Sequence, residues 1–336
     1  ISFAIMLSVV VSTEVHPVRM ILDTIIDLPS KQSFKMWHHV MKKDYELNTE
    51  EGIKRYRVFK ANVKKIKERN QELTSYQLGL GPWTDITNEE YLATVINQAR
   101  YKRQQKQLRK LAAINFDEMA DKEDEFTPVS AVSNWAPFYG EARNQGQCGS
   151  CWAFSVAGAI EGLFSQKNGK YQQLSTQSLV DCDGGSGGCE GGMFDSPYAL
   201  VQKTGLPLET AYPYKAVKQN CAAFTPTVKI TGFNRCSNYS WESNDFCTND
   251  KCRKMIANGP ISAGVDASSF DYQSYTKGVF TATCANDVHA IVLTQITDTE
   301  VTHRNSWGPG WGENGYMRIK RNTANKYSCF NENECF

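Results

Sequence analysis

The stretch Asn144–Phe154, NQGQCGSCWAF, sets Cys148 and Cys151 three positions apart among small residues and runs directly into Trp152 and Phe154. How those two thiols are used decides what the rest of the chain must be. A redox pair wants both cysteines opening a helix inside a β-α-β unit, but a punctuated loop with no strand run precedes Cys148. A zinc site needs a second close pair, and Cys247 with Cys252 is spaced too widely for the commonest knuckle. The remaining use makes Cys151 a nucleophile. From Ser150, SCWAFSVAGAIEGLFSQKNGK alternates small and large apolar residues at helical spacing, opens on Ser150 as a cap and stops at Gly169. Cys151 then lies in the first turn of a helix, where unpaired backbone N–H groups and the positive dipole end lower a thiol pKa.

A thiolate nucleophile needs a base from elsewhere in the chain. Of the five histidines only His289 and His303 lie in the C-terminal two thirds. His289 opens HAIVLTQI, an apolar strand run that would hold its ring among packed neighbours, whereas His303 stands two residues before the polar NSWGPGWGENGY. His289 is the preferred base. Together with PISAGVDA and YMRIKR, that run places short strands after the helical stretch and not interleaved with helices. The expected class is α+β in two halves.

Outward from this core, all eleven cysteines lie at or after Cys148. That density indicates an oxidising compartment, and the odd count leaves at least one thiol without an internal partner. A formal net charge of +1 supplies no electrostatic reason to expect nucleic acid or a membrane surface as partner. The opening run ISFAIMLSVVVSTEVHP is too short to span a bilayer and suits the apolar core of a secretory signal, so residues 1–20 are expected to be a signal-peptide remnant.

Glu50 to Asn70, EEGIKRYRVFKANVKKIKERN, has the period of an amphipathic helix. Glu51, Arg55, Phe59, Asn62, Ile66 and Asn70 fall along one side of it, with Glu51 and Arg55 in ion-pair reach. YQLGLGPWTDITNEEY, from Tyr76, reads as strand, turn and a helix start with Thr87 and Glu90 as a capping box. Arg100 to Phe126, a basic block followed by an acidic one, reads as a solvated linker. The domain boundary is placed there, giving 21–127 and 128–336.

Three segments carry a family resemblance: QGQCGSCWAFS from Gln145, HA at His289 and NSWGPGWGENGY from Asn305. They resemble the papain-like cysteine peptidases, for which the Cys, His and Asn set is a known convergent triad. The side of the 50–70 helix, with Gly79, Trp83 and Asp85, resembles the inhibitory propeptide of cathepsin L-like zymogens. The resemblance implies a papain-like two-subdomain fold, with a helical half and a β-barrel-like half flanking a cleft, behind a helical propeptide. It implies a cysteine endopeptidase that is made as a zymogen, needs no cofactor or metal, acts on protein and peptide substrates as a monomer, is held by its own propeptide, and is secreted or lysosomal. Cys151 would be the nucleophile, His289 the base, Asn305 the residue orienting its ring, Trp307 the shield over that contact, and Gln145 an oxyanion donor.

The same resemblance pairs Cys148 with Cys189, Cys182 with Cys221 and Cys284 with Cys329. Cys236, Cys247, Cys252 and Cys335 retain three possible connectivities. For substrate it implies backbone pairing at Gly191 and Gly192, a pocket from Met193, Phe194 and Gly264, a contact at Trp311, and Glu334 at the pocket floor. No long insertion follows Cys189, which favours endopeptidase action. Asn238 opens an NYS glycosylation pattern. Val288 and the QIT at Gln295 depart from the family pattern behind the histidine. They motivate the alternative, a catalytically inactive relative serving as a binding or structural protein.

Overall fold

In the computed structural model, residues 15–96, 134–234, 254–282 and 289–321 and the backbone of 330–335 are described. The N-terminal part is helical: α1 (Pro17–Ile25), α2 (Ser30–Val40) and α3 (Glu50–Glu72), with α4 (Asn88–Thr94) following the short strand β1 (Tyr76–Leu78). The Thr49 hydroxyl caps α3 by accepting from the Gly52 N–H. Phe59 and Ile66 on its inner face are fully buried, Phe59 against Phe34 and Trp37. Burial of one such side chain stabilises by about 2 to 3 kcal/mol.

The polar members of that helix side serve the backbone opposite. Asn62 donates to the carbonyls of Thr84 and Ile86, and Asn70 makes both hydrogen bonds to Leu78, as a neighbouring strand would. Glu51 pairs with Arg55, whose other arm reaches Glu90 at 2.6 Å. Thr87 caps α4 through the Glu90 N–H, while the Glu90 carboxylate is turned to Arg55. Residues 20 and 21 fall inside α1, in which Arg19 is buried and donates to the carbonyls of Leu80 and Gly310. The 127/128 boundary and the linker lie outside the described residues.

The C-terminal part has the two expected halves. The helical one holds α5 (Cys151–Asn168), α6 (Gln177–Cys182) and α7 (Asp195–Thr204). The Cys148–Cys189 and Cys182–Cys221 bridges both lie in it. In the chain-entropy view each closed loop of this size stabilises by about 3 to 4 kcal/mol. The expected pair Cys284–Cys329, together with Cys236, Cys247, Cys252, Asn238 and Val288, lies outside the described residues.

The other half is a mixed seven-stranded sheet, in the order β1, β3 (Tyr275–Phe280), β6 (Tyr316–Lys320), β5 (Glu300–Arg304), β4 (His289–Ile296), β2 (Ile261–Val265) and β7 (Phe330–Cys335). Among the described residues it is not closed into the barrel-like form that the resemblance implied, while the helical and sheet halves of that fold are both present. Its β1 edge strand comes from the N-terminal part, pairing antiparallel with β3 from Tyr76 opposite Gly278. The sheet meets the helical half through α5 and β4. Gly158 allows the approach: a Cβ there would stand 2.8 Å from Val292 Cγ2.

Candidate active site

Cys151 opens α5 and is the one free cysteine among the described residues. Ser150 occupies the cap position but makes no capping bond; its hydroxyl is turned to the Tyr214 hydroxyl, 2.6 Å away. The first-turn donors of α5 are therefore not consumed by a cap side chain. Backbone hydrogen bonds from Ala290, Trp152 and Cys151 itself act on the sulfur and favour its thiolate. Burial outweighs them and pushes the thiol up. The contact with Ala290 brings the start of α5 against the start of β4, beside His289.

His289 is buried and its Nε2 lies 2.7 Å from Asn305 Oδ1. The same Oδ1 accepts from the Ser306 backbone N–H at 2.7 Å. A backbone N–H can only donate, so this oxygen is fixed as the acceptor and Nε2 must carry the imidazole proton. Nδ1 is left as the basic nitrogen, buried and without a hydrogen-bond partner among the described residues. Burial holds the imidazole down to about 4, opposed by the Asn305 hydrogen bond. Burial therefore works against charge on both groups in this covered state.

Trp307 lies over the His289 ring, centroids 4.7 Å apart, and is itself buried. The N-terminal part closes over it: Trp83 and Tyr91 meet the Trp307 ring edge to face at 6.3 and 5.8 Å. Gln145 is held at both ends of its amide, donating to Cys148 O at 3.0 Å and accepting from the Ser306 hydroxyl. An amide nitrogen carries two hydrogens, so one donor remains for an oxyanion. Sequence reasoning missed Ser306, which joins Gln145 to Asn305; its place between Asn305 and Trp307 was the available signal. His303 is no rival base: its ring stacks on Tyr272 and its Nε2 is 3.0 Å from the Tyr272 hydroxyl.

The proposed substrate contacts are scattered in burial. Gly191 and Gly192 are partly buried, and a Cβ on Gly192 would strike the Trp152 ring. Met193 is partly exposed, whereas Phe194 is buried in the helical core. Gly264 pairs with Ala290 across β2 and β4, one residue from His289. Trp311, expected to touch substrate, is fully buried in this covered form, with its Nε1 donating to Tyr272 O. Glu334 lies on β7, which pairs with β2; its side chain is outside the described residues.

Residues 132–335 match the model of the papain family of cysteine proteases, and residues 34–91 match the cathepsin propeptide inhibitor domain. Papain from Carica papaya is 33% identical over 300 residues, covering 88% of this chain and 83% of papain. Among solved structures, the proform of the Amb a 11 cysteine protease, a major ragweed pollen allergen, superposes with a TM-score of 0.73 at 26% identity, covering 93% of this chain and 95% of that one. Digestive procathepsin L 3 from the larval midgut of Tenebrio molitor gives 0.70 at 26% identity, with 91% and 97% covered. The chain thus belongs to the papain family of cysteine proteases and carries its own inhibitory propeptide.

Proposed function

We propose that the processed chain is an endopeptidase working through Cys151 and His289. The observation that carries this reading is the tautomer fixed by Asn305: Oδ1 accepts from Nε2 and from the Ser306 N–H, leaving Nδ1 as the basic nitrogen of a residue whose neighbour Ala290 contacts the free cysteine. The Cys151 proton passes to Nδ1 and the thiolate attacks the scissile carbonyl carbon. The resulting oxyanion is held by the Gln145 amide and the Cys151 backbone N–H. As the C–N bond breaks, the imidazolium gives its proton to the leaving amine, and a thioester remains on Cys151. Water then attacks the thioester with Nδ1 taking its proton, and the acid product leaves as the thiol is restored.

Trp307 excludes water from the His289–Asn305 contact. Gly191 and Gly192 pair with the substrate backbone; Met193 and Gly264 flank the adjoining side-chain pocket. Two disulfides beside a single free thiol, among the described residues, suit a secretory or lysosomal compartment. The chain acts as a monomer whose propeptide blocks the site until the segment near residues 100–128 is cut.

The test is hydrolysis of internally cleavable peptides by purified chain after acid processing. Wild type is expected to shorten and cleave within the peptide, and Cys151→Ala to do neither. Equal behaviour of the two would reject the reading in favour of an inactive relative.

A further inference from the structure

Asn305 Oδ1 is fully engaged, yet its Nδ2 is buried with no hydrogen-bond partner among the described residues. Arg304, one residue earlier and 6% exposed, has a second such atom in Nη1. Both residues line one cavity of about 20 Å³, whose wall also includes Glu161, Arg143, Ser155 and Ile291. A space of that size holds about one water, which requires two to four polar partners.

The walls of this cavity are stiff and charged. The Arg304 guanidinium donates from Nη2 to Glu141 O at 2.9 Å and lies over the Tyr139 ring at 4.9 Å. Glu161 is buried, and it accepts from the Tyr171 hydroxyl at 3.1 Å and the Leu174 N–H at 2.9 Å. Burial pushes its carboxyl up, and Arg304 and Arg143 act in the opposite direction. Carboxylate oxygens that already accept one hydrogen bond each keep further lone pairs free.

We propose that Arg304 is a positioning residue for the reaction: one water in this cavity accepts from Asn305 Nδ2 and Arg304 Nη1 and donates to the Glu161 carboxylate. The terminal torsion of an asparagine is broad, so two contacts on Oδ1 alone leave the amide free to rock. Tying Nδ2 to a guanidinium that is itself wedged keeps Oδ1 on the imidazole proton, and with it the basic nitrogen turned to the nucleophile. Glu161, on α5 with Cys151, completes the link from the helix of the nucleophile to the amide that aims the base. This inference rests on the role given above to Asn305.

Two measurements test it. In crystals of the intact Cys151→Ala chain, one ordered water is expected within hydrogen-bond reach of both Asn305 Nδ2 and Arg304 Nη1, and an empty cavity overturns the proposal. In processed enzyme counted by active-site titration, Arg304→Met is expected to lower kcat about tenfold with KM unchanged, and Arg304→Lys to recover most of it. A titratable Arg304→Met enzyme with wild-type kcat overturns it as well. If Arg304→Met gives no titratable enzyme, Glu161→Gln, neutral and of equal shape, carries the measurement: kcat falls at constant KM, or the network is rejected. Failure of wild type to hydrolyse peptides would sink the role of Asn305 and this network with it; an active wild type beside an unaffected variant sinks the network alone.

Discussion

The sheet half is gripped from two sides, and the grips are built differently. Against the helical half the contact is close and buried: Ser155 donates to Ile291 O at 2.6 Å, the Tyr198 and Ser262 hydroxyls meet at 2.8 Å, and Gly158 admits Val292. Against the propeptide it joins a three-residue strand, two rings set edge-on to Trp307 and Arg69 on Asp271 to a shared apolar core that takes in Tyr76, Leu78, Trp83, Ile86 and Tyr91. The nucleophile and the base come from opposite sides of the first contact, so it must survive for the enzyme's lifetime. The second has to be removed for the enzyme to work, although it too is largely buried.

The largest expected effect comes from wedging the permanent grip. Gly158→Leu puts a branched side chain where even a Cβ approaches Val292 to 2.8 Å. Overpacking of this kind costs about 1 to 3 kcal/mol, and the shift between α5 and β4 should lower peptide hydrolysis by processed enzyme about 100-fold. Near-normal turnover would mean that the α5–β4 contact does not set the alignment. Next is the aromatic anchor. Tyr91 is fully buried and donates to Ala267 O at 2.7 Å, so Tyr91→Ala should weaken propeptide docking by about 3 kcal/mol. Labelling of Cys151 by a thiol reagent in the uncut chain should then speed up about 100-fold; an unchanged rate would move the grip elsewhere.

The ion pair is smaller. Arg69 reaches both Asp271 oxygens, one at 2.6 Å, and the Tyr76 hydroxyl reaches the same carboxylate, but the guanidinium is 38% exposed. Water screens it, and Arg69→Met should cost about 1 kcal/mol, seen as a roughly fivefold faster labelling that fades as salt is added. The smallest effect is a slope with pH. Burial holds His303 down to about 3 and His289 to about 4, both below the ordinary 6.5. The folded chain thus binds fewer protons than the unfolded one. The stability these rings contribute is whole above about pH 6.5 and is lost as pH falls through their folded values. Between pH 7 and pH 5 the Tm of the Cys151→Ala chain should drop about 3 °C from His303 alone. His303→Asn should flatten that part of the slope; an equal slope in both chains would count against it.

What was legible in the sequence was local. The 50–70 pattern became α3 because one helix side supplies Phe59 and Ile66 to a core and Asn62 and Asn70 to backbone groups opposite. The same holds for Gly169, which closes α5 in the left-handed conformation, and for His289, which begins β4 as its apolar run required. What escaped depends on partners far apart in the chain. Nothing near Trp83 or Tyr91 announces Trp307, and nothing near Arg69 announces Asp271, 202 residues away. Ser150 was read as a cap because its type and place fit, yet the Tyr214 hydroxyl claims it. β1 is three residues long and is a strand only because β3 offers its edge.

That borrowed edge has a consequence for the released enzyme. Once Tyr76–Leu78 depart, the outer rim of β3 is left with amides and carbonyls that no chain satisfies, a surface on which another molecule's strand could be templated. Two features of the rim work against such accretion: Lys277 projects a charge into solvent, and Gly278, at φ +92°, bends the backbone out of the extended form a newcomer would need to copy.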